Sequence, residues 1–137
     1  MLLDLLSEYL NKVEAGVLKL ENVYVERYEE EIIVNNRINL RIRIRFKTGY
    51  LLELNEAVIV EATTLTRLYY RYHFQDDKNN LIFRYDNAPH FPGFINFPHH
   101  KHLPDEVTDI SETSIFKVIE EARSANHNKP SLNDPNT

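Results

Sequence analysis

The chain has 137 residues, 42% hydrophobic and 27% charged, with no Cys, no Trp and only 3 Gly. That length holds one core and is short for two ordinary domains, and the composition excludes a disordered chain, a repeat array and a collagen-like sequence. The lack of Cys removes a disulfide framework, a thiolate zinc site and a cysteine nucleophile together. No apolar run approaches the roughly 20 residues of a spanning helix, and the start Met1-Leu2-Leu3-Asp4 lacks the basic, then apolar pattern of a secretory signal. A cytoplasmic protein with no membrane partner is expected.

The net charge of −5 is unevenly spread. Residues 1–32 carry a balance of −5 and residues 103–137 one of −4, whereas residues 33–102 carry +4 and five of the six His. A basic centre inside an acidic chain is the pattern of a local anion site, because only charge within about a Debye length, ~10 Å, acts on a ligand.

In chain order, Leu2, Leu3, Leu5, Leu6, Leu10 and Val13 follow a helical repeat that predicts a helix to about Ala15, with Gly16 as its stop. Val17 to Val25 and Ile32 to Val34 read as extended segments separated by the acidic run Glu29-Glu30-Glu31. Arg37 to Lys47 alternates polar and apolar without a break, which is what a strand with one buried side requires. Thr48-Gly49 marks a turn, and Tyr50 to Glu61 is extended with a change of phase near Asn55-Glu56 that suggests a bulge or a short loop. Thr66 to Gln75 is a strand with Arg67, Tyr69, Arg71 and His73 on one side, and Leu81 to Asp86 returns with Arg84 and Asp86 on one side. Pro89, Pro92, Pro98 and Pro104 predict a long ordered loop from Asn87 to Pro104, held by Phe91, Phe94, Ile95 and Phe97. A last helix opens at Ser111-Glu112-Thr113 and runs to about Ser124. The expected fold is α+β: an antiparallel β-meander of about four to six strands with an N-terminal and a C-terminal helix packed on one face. Residues 1–124 form a single domain and 125–137 a disordered polar tail.

Four His, a Lys and an Arg fall within residues 84–102: Arg84, His90, His99, His100, Lys101 and His102, with Asp86 among them. Such groups contribute little to a core and must be solvated or paired, so a function explains their clustering economically. Three readings stand open. Imidazoles can supply acid and base for metal-independent cleavage of a phosphodiester, with Lys101 or Arg84 stabilising charge on the phosphorane. Alternatively His90, His99, His100 or His102 with Asp86 or Glu56 binds a divalent metal. In the third reading the cluster is an exposed loop or packs on a partner. The first is preferred, with no metal and no cofactor. Arg37, Arg41, Arg43 and Arg45 share one face of a strand, and Arg67 and Arg71 share a face of another. If the two faces coincide, Arg41, Arg43, Arg67 and Arg71 make a basic platform for a phosphate backbone, with Tyr69 free to stack on a base. For Arg37 and Arg45 the preferred reading is pairing across the sheet with Glu53, Glu56 or Glu61.

The runs Tyr70-Arg71-Tyr72-His73-Phe74-Gln75, Arg84-Tyr85-Asp86-Asn87-Ala88-Pro89-His90 and Phe97-Pro98-His99-His100-Lys101-His102 resemble the TumE family of prokaryotic toxins, and the likeness spans about residues 37–121. Gly49 and Glu56 resemble the family's glycine followed by a glutamate, which makes Glu56 a candidate site residue. The resemblance implies the toxin half of a two-gene module neutralised by a cognate antitoxin. Joined to the His/Lys/Arg cluster, it points to an endoribonuclease with an RNA substrate; the alternatives are a non-catalytic binding module for protein or nucleic acid, and a metal-dependent nuclease. The sequence leaves a homo-oligomer open.

Overall fold

The uninterrupted alternation of residues 37–47 sets the architecture. In the computed structural model, which describes residues 4–34 and 36–128, this stretch is strand β2 (Arg37–Phe46), with Ile38, Leu40, Ile42, Ile44 and Phe46 buried on one side. Around it stand β1 (Val23–Val34), β3 (Leu51–Glu61), β4 (Thr64–Gln75), β5 (Leu81–Asp86), β6 (His100–His102) and β7 (Val107–Asp109). All pair antiparallel with their sequence neighbours, in the order β1-β2-β3-β4-β5-β6-β7. Helices α1 (Asp4–Leu18) and α2 (Ile115–His127) cover the apolar face. Among the described residues no helix packs on the other, outer face.

Helix α1 buries Leu6, Leu10, Val13 and Val17, one stripe at helical spacing, and α2 buries Ile115, Val118, Ile119 and Ala122. Ser114 caps α2, its hydroxyl accepting from the Lys117 amide at 3.2 Å. Gly16 does not stop α1; the helix continues to Leu18, and Gly16 faces Phe116 and Ile119 of α2. The acidic run Glu29-Glu30-Glu31 does not divide the chain either, because it lies within the single 12-residue strand β1. The main departures lie after β5. The stretch expected to be loop from Asn87 to Pro104 contains β6, and β7 follows it, so the sheet has seven strands. Pro98 and Pro104 flank residues 99–103 without interrupting them, which leaves His100 to His102 free to pair with β5. In the remaining loop Phe91 and Phe94 stack at 5.0 Å, but Ile95 is 94% exposed and holds nothing. The turn there is held by the Asp109 carboxylate, which accepts from the amides of Ile95 (2.6 Å) and Asn96 (3.1 Å). Helix α2 extends through His127, so the start of the expected disordered tail is helical, and residues 129–137 lie outside the described ones.

Thr48-Gly49 makes the β2–β3 turn, with Gly49 at φ +92°. A Cβ there would stand 2.7 Å from the Asp77 Cβ. Gly49→Ala is therefore expected to cost about 1–3 kcal/mol through left-handed strain plus this clash, read as a lower midpoint in thermal denaturation.

Candidate functional site

Strand pairing assembles the outer-face site. Arg41 lies opposite Asn55, Asn55 opposite Arg71, Arg71 opposite Asp86 and Asp86 opposite His100, in one row across β2 to β6. The next row runs Arg43, Glu53, His73, Arg84, His102. Residues in register on one face are neighbours about 5 Å apart, so a signal spread over 62 positions of sequence becomes one surface.

Asp86 is the centre of the second half of these rows and is buried. Its Oδ1 accepts from the Ala88 amide at 3.0 Å. His100 Nε2 lies 2.7 Å from Oδ1; His102 Nε2 and Arg84 Nε lie 3.4 and 3.5 Å from Oδ2. Both His100 Nε2 and Arg84 Nε approach the carboxylate off the line that a hydrogen bond needs, so each is a buried nitrogen without a hydrogen bond. His100 is 1% exposed. Its Nδ1 sits 2.9 Å from the Pro98 carbonyl, which can only accept, so that nitrogen is the donor. The Phe91 ring covers it edge-on at 4.9 Å. Asp86, His100 and His102 each offer one ligand atom, all within 4.8 Å of one another, so these three could hold a metal ion.

His102 opens onto a cleft of about 210 Å³ that it shares with Tyr69, Arg71, Arg84, Asp86 and His90. Burial holds the His102 imidazole below its usual value, and Arg84 pushes the same way against the pull of Asp86. His73, beside Arg84 in the register, is lowered by burial as well. Arg71 stands exposed, with no carboxylate partner among the described residues. The cleft therefore combines a largely neutral imidazole, two guanidinium groups and an exposed second imidazole, a set suited to binding an anion and moving protons on it.

Four expected site residues stand elsewhere. Lys101 alternates with His100 and His102, so its side chain faces the helices, where it donates to Glu121 at 2.8 Å and lies over Tyr85. Glu56 also points to the helix side; it is 2% exposed and accepts from the Tyr9 and Tyr72 hydroxyls. His99 stacks on Tyr70, its Nδ1 2.8 Å from that hydroxyl. Arg67 is separated from Tyr69 and Arg71 by a β-bulge: Ala57 pairs with Tyr69 but Val58 with Arg67, which leaves Leu68 unpaired and reverses the phase. Arg67 consequently lies under the sheet, over the Tyr70 ring at 4.2 Å, and donates to Tyr72, Glu112 and the Thr113 carbonyl. Of the expected platform, Arg41, Arg71 and Tyr69 remain available on the outer face, while Arg43 and Arg45 are tied to Glu26, and Arg43 to Glu53 as well. Arg37, expected to pair across the sheet, has no carboxylate partner among the described residues. In the sequence Asn87 stands as a motif residue and as the first residue of the expected loop. Its amide extends the β4–β5 ladder, accepting from the Tyr70 amide at 3.0 Å, and so fixes the end of β5 beside the cleft.

A basic cleft beside two short strands, backed by a buried Asp–His pair, thus lies on the outer face of an open sheet. The sequence matches the family model described as Toxin TumE over residues 13–125, most of its length, and the chain belongs to that family of toxins. No curated protein and no solved structure matches it. A toxin of this kind implies an antitoxin partner. Among the described residues, no helix is long and apolar enough to cross a membrane.

Proposed function

We propose that this toxin acts as an endoribonuclease at the outer-face cleft, by proton transfer between imidazoles and without a metal ion. The observation that carries the reading is the shared cleft of His90, His102, Arg71 and Arg84 above Asp86. A phosphodiester lying in it would meet Arg71 and Arg84 at its non-bridging oxygens, where charge grows in the phosphorane. His102, kept neutral by burial and Arg84, removes the proton of the RNA 2′-hydroxyl. The freed oxygen attacks phosphorus, and the bond to the 5′-oxygen breaks as His90 protonates that leaving group. The products are a 2′,3′-cyclic phosphate and a free 5′-hydroxyl. Asp86 stabilises the imidazolium formed on His102, and His100 holds Asp86 in place from behind. Two guanidinium groups against one buried carboxylate favour an incoming anion over a further cation.

The test is incubation of the purified chain with single-stranded RNA in excess EDTA. Cleavage should survive the chelator, leave cyclic phosphate ends and fall by about 10²–10⁴ in His102→Ala. With His102 as the base and His90 as the acid, the rate should pass through a maximum with pH, its rising limb lying below the ordinary imidazole range. A second reading, a metal-dependent nuclease, is favoured by the convergence of Asp86, His100 and His102. Activity lost in EDTA and restored by Mn²⁺ would establish it in place of the first. No cleavage in either condition would overturn both.

A further inference from the structure

A second cleft, of about 240 Å³, opens on the same outer face beside the first, and Tyr69 lines both. Its other walls include Arg37, Asn39, Arg41, Asn55 and Ala57. The register explains the hollow. Asn39 lies opposite Ala57 and Ala57 opposite Tyr69, so a methyl group sits between an amide and a phenol ring, and the row is low in its middle. The adjoining row is the one that runs from Arg41 through Asn55 and Arg71 to Asp86. A chain lying along that row would reach the Asp86 cleft directly.

Three features narrow what fits. The Nε of Arg37 and the Oδ1 of Asn39 are buried and have no hydrogen-bond partner, although buried polar groups are almost always satisfied. Arg37 and Arg41 have no carboxylate partner among the described residues, whereas Arg43 and Arg45, further along the same strand, are neutralised by Glu26 and Glu53. The guanidinium groups of β2 without an ion pair among the described residues are thus the two that border the hollow, with Glu29 and Glu31 of β1 in register opposite Arg41 and Asn39. Finally, the floor offers carboxamides. A bare phosphate needs only donors and would be repelled by an amide oxygen, but the edge of a nucleobase presents donors and acceptors side by side, the complement of Asn. An aromatic ring beside such an edge, with guanidinium groups around it, is the chemistry of single-strand recognition.

The geometry points to a nucleobase subsite: Asn39 and Asn55 read the edge of an unpaired base, Tyr69 lies against its face, and Arg37 and Arg41 hold the phosphate next to it. Resting on the ribonuclease reading, this makes the substrate single-stranded RNA selected at one base close to the scissile bond.

The experiment uses the full chain carrying His102→Ala, so that RNA stays intact, and 5′-fluorescein decamers of A, C and U followed by fluorescence anisotropy. The parent should prefer one decamer by about tenfold, and Asn39→Ala or Asn55→Ala should bring the three within about threefold while thermal melts stay unchanged. Tyr69→Ala should weaken all three. Equal binding of the decamers by the parent, or preferences untouched by both Asn substitutions, would overturn the subsite while RNA cleavage by the wild-type chain left the nuclease reading standing. Should the wild type cut no RNA, amide shift changes at Asn39, Asn55 and Tyr69 on titration with AMP, CMP and UMP would uphold the subsite alone. Their absence would remove both.

Discussion

Asp86→Asn is expected to abolish toxicity on induction and to lower RNA cleavage by about 10²–10⁴ while keeping the shape of the side chain. The amide can still accept from the Ala88 backbone N–H through its oxygen, so the entry to the loop after β5 survives. What disappears is the negative charge that faces His100, His102 and Arg84. His100 is the most affected, since it is 1% exposed and its Nδ1 is already committed to the Pro98 carbonyl. Removing one partner of a buried ionic cluster leaves the others uncompensated, at about 3–5 kcal/mol. A stability loss alone would also reduce toxicity, so cleavage must be measured below the variant's melting midpoint, per folded molecule. Full activity there would sink the role given to Asp86. Lys101→Met is the contrasting variant: its ammonium serves Glu121 on the helix side, and its loss should lower the melting midpoint without changing cleavage per folded molecule.

The alternation that made β2 legible is the same rule that divides the expected His/Lys cluster. Arg37 to Phe46 is long enough for its period of two to be unmistakable, and the structure buries each of its apolar positions. His100-Lys101-His102 is a three-residue strand with the same alternation, but the surrounding prolines hide it, so all three side chains read as one loop. Taken as a strand between Pro98 and Pro104, the triplet already sends Lys101 away from its neighbours. The change of phase expected near Asn55-Glu56 is absent from β3, whose even-numbered residues Leu52 to Val60 stay on the helix side in unbroken register with β2 because Glu56 merely places a polar group there; the bulge lies in β4 opposite Ala57 and Val58, where the unpaired residue is Leu68 and Arg67 is the side chain displaced. No property of β4 alone contains that information, because a bulge is a property of a pair of strands. Asn39 and Asn55 carry no signal in the sequence beyond being polar positions on strands. Only the register, which places Ala57 between Asn39 and Tyr69, shows the hollow they border.

Glu56→Leu is expected to destabilise the fold by about 3–5 kcal/mol, although it places an apolar side chain in an apolar layer. The carboxylate joins four parts of the molecule. Tyr9 from α1 and Tyr72 from β4 donate to it, the latter at 2.5 Å; Arg67 donates to the Tyr72 hydroxyl at 2.8 Å and to the Thr113 carbonyl ahead of α2. Leucine would strand two hydroxyls, that of Tyr72 being also the acceptor for Arg67, whose carboxylate partner is Glu112. Glu56→Gln keeps an acceptor and should cost less, and it isolates the charge. Burial raises the Glu56 carboxyl above 4.5, with the hydrogen bonds from Tyr72 and Tyr9 and the charge of Arg67 opposing that shift only in part. The folded state therefore binds this proton more tightly than the unfolded one. The resulting stability is fully present below pH 4.5 and is lost as pH rises through the raised folded value. Melting midpoints of the wild type minus those of Glu56→Gln should accordingly shrink as pH increases from about 4.5, and parallel curves would refute the assignment. Because Glu56 faces the helices, Glu56→Gln should cut RNA as fast as the wild type per folded molecule. A selective loss of cleavage in that variant would instead return Glu56 to the reacting site.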